Sequence, residues 1–168
     1  QRVWSEWKNW LRSIMCLRFR GIDPDWILKE INPWFCWLYS PAALMIAAVY
    51  ILTALMLVLV NFETFRSKLP EFHQFFASGN WFYLAAALGI TKVIHEFGHG
   101  LSCKYYGGEC HEMGFMLLVF TPCLYCDVSD SWMLPSKWKR MMIGAGGMYI
   151  ELILASTATF LWWNSHEG

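Results

Sequence analysis

Residues 42–60, AALMIAAVYILTALMLVLV, run nineteen positions without a charged side chain. At about 1.5 Å per residue, a helix of that length covers about 28 Å, close to the thickness of a bilayer core. Pro41 stands just before the run, where a missing N–H costs little, and Trp34, Phe35, Trp37 and Tyr39 precede it as an interfacial aromatic belt. The stretch predicts a membrane-crossing helix, so the remaining chain must be organised around a lipid boundary. Composition agrees. Of 168 residues, 57% are hydrophobic and only 15% charged, against about 25% charged in an average soluble domain. Thirteen basic residues balance thirteen acidic ones, so there is no basic field to hold nucleic acid. The chain begins at Gln1 without a signal-peptide pattern, and the expectation is a piece of a longer protein.

Two further apolar segments predict crossings. One runs from about Trp81 to Cys103; its first half, WFYLAAALGI, is ordinary membrane sequence, and its second half holds Lys92, His95, Glu96 and His99. The other runs from about Met141 to Trp163, with Glu151 near its middle. Between them lies GFMLLVFTPCLYC, residues 114–126, too short to cross as a helix and predicted as a re-entrant hairpin. Upstream, Trp4, Trp7, Leu11 and Ile14 recur at helical spacing with Lys8, Arg12 and Arg18 between them. Asp23-Pro24 opens a second short helix that ends near Asn32-Pro33. These two lie on the membrane surface or, alternatively, pack against another domain.

The expected architecture is an all-α membrane protein with about three transmembrane helices and a short re-entrant β-hairpin. Residues 1–40 form amphipathic interfacial helices, and residues 41–168 form the membrane-embedded core. Three crossings put residues 1–41 and 104–140 on one side, with Arg2, Lys8, Arg12, Arg18, Arg20, Lys29, Lys104, Lys137, Lys139 and Arg140. The other side carries Arg66 and Lys68. That bias places the long loop in the cytoplasm.

The string TKVIHEFGHG, residues 91–100, carries the chemistry. Residues four apart on a helix share a face, so His95 and His99 can both offer nitrogens to one Zn²⁺ ion. Glu96 lies about 100° round the helix from His95, where it can take a proton from a water polarised by that ion. Ionisable groups inside an apolar span are costly and default to function. The sequence thus predicts His95 and His99 as metal ligands and Glu96 as catalytic base. His95 lies about 21 Å along the helix from Trp81 and about 12 Å from Cys103, which sets the site below the membrane surface toward the cytoplasmic end.

Other residues keep alternatives open. Lys92 projects to the same face and either supports a developing oxyanion or closes a structural ion pair. A catalytic zinc takes three protein ligands plus water, and Asp127, Glu151, His111, Asp130, Cys123 and Cys126 stand as candidates for the third. Glu151 could instead bind Lys92 across the bundle. Gly144, Gly146 and Gly147 would let the last span pack closely on the one before it. Six cysteines are too few for a disulfide framework. The Cys123/Cys126 CxxC reads as reduced thiols or as part of a second metal site with Cys103, Cys110 or His111.

HEFGHGLSCKYYGGECHEMG, an apolar hairpin and then WKRMMIGAGGMYIELILA resemble the site-2 protease family of intramembrane zinc metalloproteases. The likeness is greatest to the bacterial branch associated with membrane-fusion adaptors of export systems. It covers about residues 81–163, and the 42–60 span fits as a preceding helix. Gly146-Gly147-Met148 stands where the family has an Ala-Gly-Pro-type segment.

The resemblance implies a zinc endopeptidase that cleaves transmembrane or membrane-proximal bonds of a membrane protein or peptide. It implies a multi-pass protein of the bacterial inner membrane with its site toward the cytoplasm, working beside adaptor or export partners. It also implies a third ligand from an aspartate in an Asn-Pro…Asp-Gly motif on a further span. These residues lack that motif, so the expectation is a fragment that stops short of it and is inactive alone. Residues 107–122 would hold substrate extended by strand addition, a plain packing hairpin being the alternative. A non-proteolytic export or maturation component that retains fold and metal is the alternative function. A membrane metal-dependent oxidase is disfavoured, since five scattered histidines cannot build its clusters.

Overall fold

The computed structural model describes residues 16–68, 79–118 and 121–165. In chain order these form β1 (Cys16–Ile22), α1 (Asp25–Phe35), a 3-10 turn (Cys36–Tyr39), α2 (Pro41–Val60) and the short α3 (Phe62–Lys68). There follow α4 (Trp81–Tyr105), β2 (Met113–Leu118), β3 (Thr121–Cys126), a second 3-10 turn (Ser129–Met133) and α5 (Lys137–Asn164).

Helix α2 starts where the sequence predicts. Ser40 Oγ accepts the Ala43 N–H at 3.3 Å, and Pro41 occupies the first turn. Among the described residues, α2 and α5 are long and apolar enough to cross a membrane. Only 17% and 22% of their most apolar stretches are buried, whereas the core helix of a soluble protein would be mostly covered. Met45, Ile46, Val49, Leu52 and Leu59 of α2 stand exposed accordingly. Helix α4 forms over 25 residues but does not meet the same standard of apolarity, because Lys92, His95, Glu96 and His99 interrupt it. The described residues thus give two candidate spans where three were expected.

Small residues set how the helices meet. A Cβ on Gly98 of α4 would lie 2.7 Å from the Gly146 carbonyl oxygen and 3.0 Å from the Gly147 Cα of α5. The two backbones therefore touch at this point. Helix α2 packs against α5 and buries Ala43, Ala47 and Ala54; the Tyr50 hydroxyl donates to Thr157 Oγ1 at 3.2 Å. Tyr39, fully buried, donates to the Gly98 carbonyl at 2.9 Å, and its ring lies 6.0 Å from Tyr105 and 5.8 Å from Tyr149. Tyr149 in turn donates to the Leu38 carbonyl at 2.9 Å.

The predicted hairpin is present as β2 and β3, and β1 adds a third antiparallel strand in the order β1-β2-β3. Phe19 pairs with Phe115, which pairs with Leu124. Residues 16–22 are therefore a strand and not the interfacial helix expected of them. The free edge of β2 supplies backbone partners, and Gly21 lets the chain pass close against Met113 and Gly114, where a Cβ would collide. The Trp4-to-Ile14 helix lies outside the described residues. Helix α1 runs past Pro33 to Phe35, beyond its expected stop, because the Cys36 N–H still returns to the Asn32 carbonyl. At its start the Asp23 carboxylate accepts the Asp25 N–H at 3.0 Å.

Helix α4 ends in a left-handed glycine. Gly107 has φ +90°, its N–H reaches the Lys104 carbonyl, and the Gly108 N–H reaches the Cys103 carbonyl at 2.9 Å, which satisfies the last-turn carbonyls. Beside this end the buried Asp25 carboxylate binds Lys104 and, at 2.7 Å, Lys29. Burial pushes that carboxyl up, but the two ammonium groups outweigh it and hold it down at about 2 against an ordinary 3.8. A carboxyl with a lowered folded-state pKa stabilises the fold fully above its unfolded value and loses that contribution as pH falls. Thermal unfolding in detergent is expected to show a melting temperature that drops as pH goes from about 4 toward 2, with a smaller drop in Asp25→Asn. Gly98→Ala is expected to cost about 1–3 kcal/mol in the same assay, since the helices must separate to admit the methyl.

Candidate metal centre

One turn apart on α4, His95 and His99 turn their rings toward each other, with Nε2 to Nε2 at 3.1 Å and ring planes at 75°. Two nitrogens each about 2.0–2.1 Å from a tetrahedral zinc stand about 3.3 Å apart. The pair is at ligand spacing.

The outer nitrogens of the two rings both face α5. His99 Nδ1 lies 2.9 Å from the Ile143 carbonyl oxygen. A carbonyl only accepts, so the proton sits on Nδ1 and Nε2 keeps its lone pair. His95 Nδ1 lies 3.1 Å from Glu151 Oε2, and Glu151 Oε1 receives Lys92 Nζ at 3.0 Å. The two Nε2 atoms face one point. They repel there unless a proton or a metal ion stands between them.

Helix α5 leaves room opposite. A Cβ on Gly147 would lie 2.6 Å from both Nε2 atoms, so only hydrogen at that position leaves the nitrogens uncrowded. Glu96 is half-buried near the end of β3, with Cys126 beside its carboxylate. The donor set, the spacing of the two Nε2 atoms and the space at Gly147 fit a tetrahedral divalent ion held by His95 and His99.

The third-ligand candidates disperse. Glu151 sits at the Nδ1 side of His95, where it orients the ring and does not add to the Nε2 side. Lys92 is its ion-pair partner, one of the two roles foreseen for it. Asp127 accepts from the Ser129 N–H at 3.0 Å and from the Ser129 hydroxyl. His111 Nε2 lies 3.1 Å from Glu109 and 3.9 Å from Asp130. These three exposed residues bring ligand atoms within 4.8 Å of one another and could hold an ion of their own. Cys123 and Cys126, three apart on a strand, project to opposite faces, so the CxxC does not act as a pair. Among the described residues, no third carboxylate, thiol or imidazole gathers with the two Nε2 atoms.

Sequence reasoning read the glycines as packing residues and missed the clearance that Gly147 gives the imidazoles. It also missed Ile143, whose contribution is a backbone carbonyl and leaves no signature in residue type.

The chain is 24% identical over 155 residues to a Bacillus subtilis protein whose name reads "Putative peptide zinc metalloprotease protein YydH". The match covers 90% of this chain and 55% of that protein, so the chain spans about half the length of the curated relative it matches. The likeness supports a relationship to zinc metalloproteases. No family profile matches the sequence, and no solved structure does.

Removing the carboxylate behind a ligating imidazole typically weakens metal binding about 10–100-fold. Glu151→Ala is expected to do so here, measured by competition with a chelating zinc dye, with Gly147→Ala losing stoichiometric zinc while the helical circular dichroism persists.

Proposed function

We propose that this chain carries the two-histidine and glutamate part of an intramembrane zinc endopeptidase that cleaves transmembrane or membrane-proximal bonds of a membrane protein or peptide. One observation carries the reading: on an HExxH helix, the two Nε2 atoms face each other at 3.1 Å, with His99 Nδ1 held by a backbone carbonyl and Glu151 behind His95. The named relative favours zinc as the ion. In this reading α4 is a third crossing, tolerated because Lys92 and His95 turn toward Glu151 of α5. The lysine and arginine bias puts the site side in the cytoplasm, in a bacterial inner membrane beside adaptor or export partners.

Zinc bound by His95 and His99 would bring the pKa of a water toward about 7 and polarise the scissile carbonyl. Glu96, next to His95, takes the proton of the attacking water and passes it to the departing amide nitrogen. Glu151, steadied by Lys92, keeps the His95 proton on Nδ1 and its Nε2 free. β3 lies along α4 at Cys126 and offers a sheet edge on which a peptide can be held extended, its carbonyls exposed. The third ligand is an aspartate of the Asn-Pro…Asp-Gly type, outside the described residues.

In the full-length protein, Glu96→Gln is expected to lower peptide cleavage by about 10²-fold or more with zinc retained, and His95→Ala to lose both. Unchanged cleavage in Glu96→Gln overturns the reading. Zinc binding without cleavage in the unsubstituted protein would favour the non-proteolytic export component instead.

A further inference from the structure

Cys110, in the turn between α4 and β2, and Cys126, at the end of β3, bring their sulfurs to 2.9 Å. Other sulfur contacts in this protein, to carbonyl oxygens, lie at 3.6–4.0 Å. A disulfide stands at about 2.05 Å, so bond formation needs a sulfur movement of about 1 Å. The backbone already holds the two segments together. Met113 is the register partner of Cys126, and the Asp127 N–H donates to the Glu112 carbonyl at 2.8 Å. Access differs between the two thiols. Cys110 is fully buried, whereas Cys126 lines an open cavity of about 280 Å³ with Tyr125, Asp127 and Trp132. Cys123, on the other face of the strand, and Cys103, which contacts the Glu109 carbonyl, are not part of the pair.

We infer that Cys110 and Cys126 form a redox-active dithiol that closes to an intramolecular disulfide by exchange with a small-molecule or protein disulfide. Cys126 Sγ, reached through the cavity, attacks one sulfur of that disulfide as it gives up its proton, forms a mixed disulfide and releases one thiolate. The Cys110 thiolate then attacks Cys126 Sγ, closes the protein disulfide and releases the second thiolate. The two protons given up by the cysteines end on the two released thiolates. The protein is oxidised by two electrons and the incoming disulfide reduced by two. Closure rings residues 110–126 and fastens the end of β3 that packs beside α4. The exchange requires neither metal nor peptidase activity.

The full chain in detergent is treated with oxidised glutathione, denatured in N-ethylmaleimide, then reduced and labelled with iodoacetamide before peptide mass spectrometry. Cys110 and Cys126 are both expected to move from the first label to the second, and before reduction to appear as one linked peptide two hydrogens lighter. Dithiothreitol before labelling reverses the change, and Cys110→Ser is expected to retain a glutathione adduct on Cys126. Retention of the first label at both residues after oxidation, or a disulfide joining either to Cys103, Cys123 or a second chain, would overturn the inference.

Discussion

Everything distinctive in this structure depends on two helix backbones meeting at Gly98, Gly146 and Gly147. Inside a membrane, apolar side chains gain nothing by leaving lipid for protein, so helices associate through close packing and polar contacts between them. Glycines allow both. They bring the Ile143 carbonyl to His99 and Glu151 to His95, and they leave only hydrogen opposite the Nε2 pair. A single methyl at position 147 would crowd the nitrogens. Helix packing and the candidate metal centre are therefore one arrangement.

The polar residues of α4 are arranged economically. Lys92, His95, Glu96 and His99 would each be expensive facing lipid, yet α5 meets three of them: Lys92 and His95 approach the two oxygens of Glu151, and His99 takes a carbonyl. These partners come from α5, more than forty residues further along the chain. Tyr39 closes the bundle from the other side through the Gly98 carbonyl, tying the segment before α2 to the turn that carries both histidines. The Asp25–Lys104 pair does the same at the end of α4, near the sheet.

Where sequence reading succeeded, the signal was local. The α2 run, the HExxH spacing, the hairpin over 114–126 and the helix from Met141 each follow from residue types within one element. Where it failed, the deciding contact was remote. Cys16–Ile22 has apolar and basic residues compatible with an amphipathic helix, yet it is a strand because the edge of Met113–Leu118 offers it backbone hydrogen bonds. The CxxC, read as reduced thiols or as part of a second metal site, has its thiols on opposite faces of a strand, and Cys126 meets a cysteine sixteen residues away.

The sequence by itself determined that a long uncharged helix exists, that two imidazoles lie one turn apart with a glutamate between them, and that glycines cluster at the start of the last helix. Those facts follow from hydropathy and from the pitch of the α-helix, which act within a single element. Only the tertiary structure decided which nitrogen of His99 is free, that Glu151 stands behind His95, and that position 147 is clearance. Proton placement on an imidazole is set by whatever acceptor faces it, and here both acceptors stand on a helix more than forty residues further along the chain.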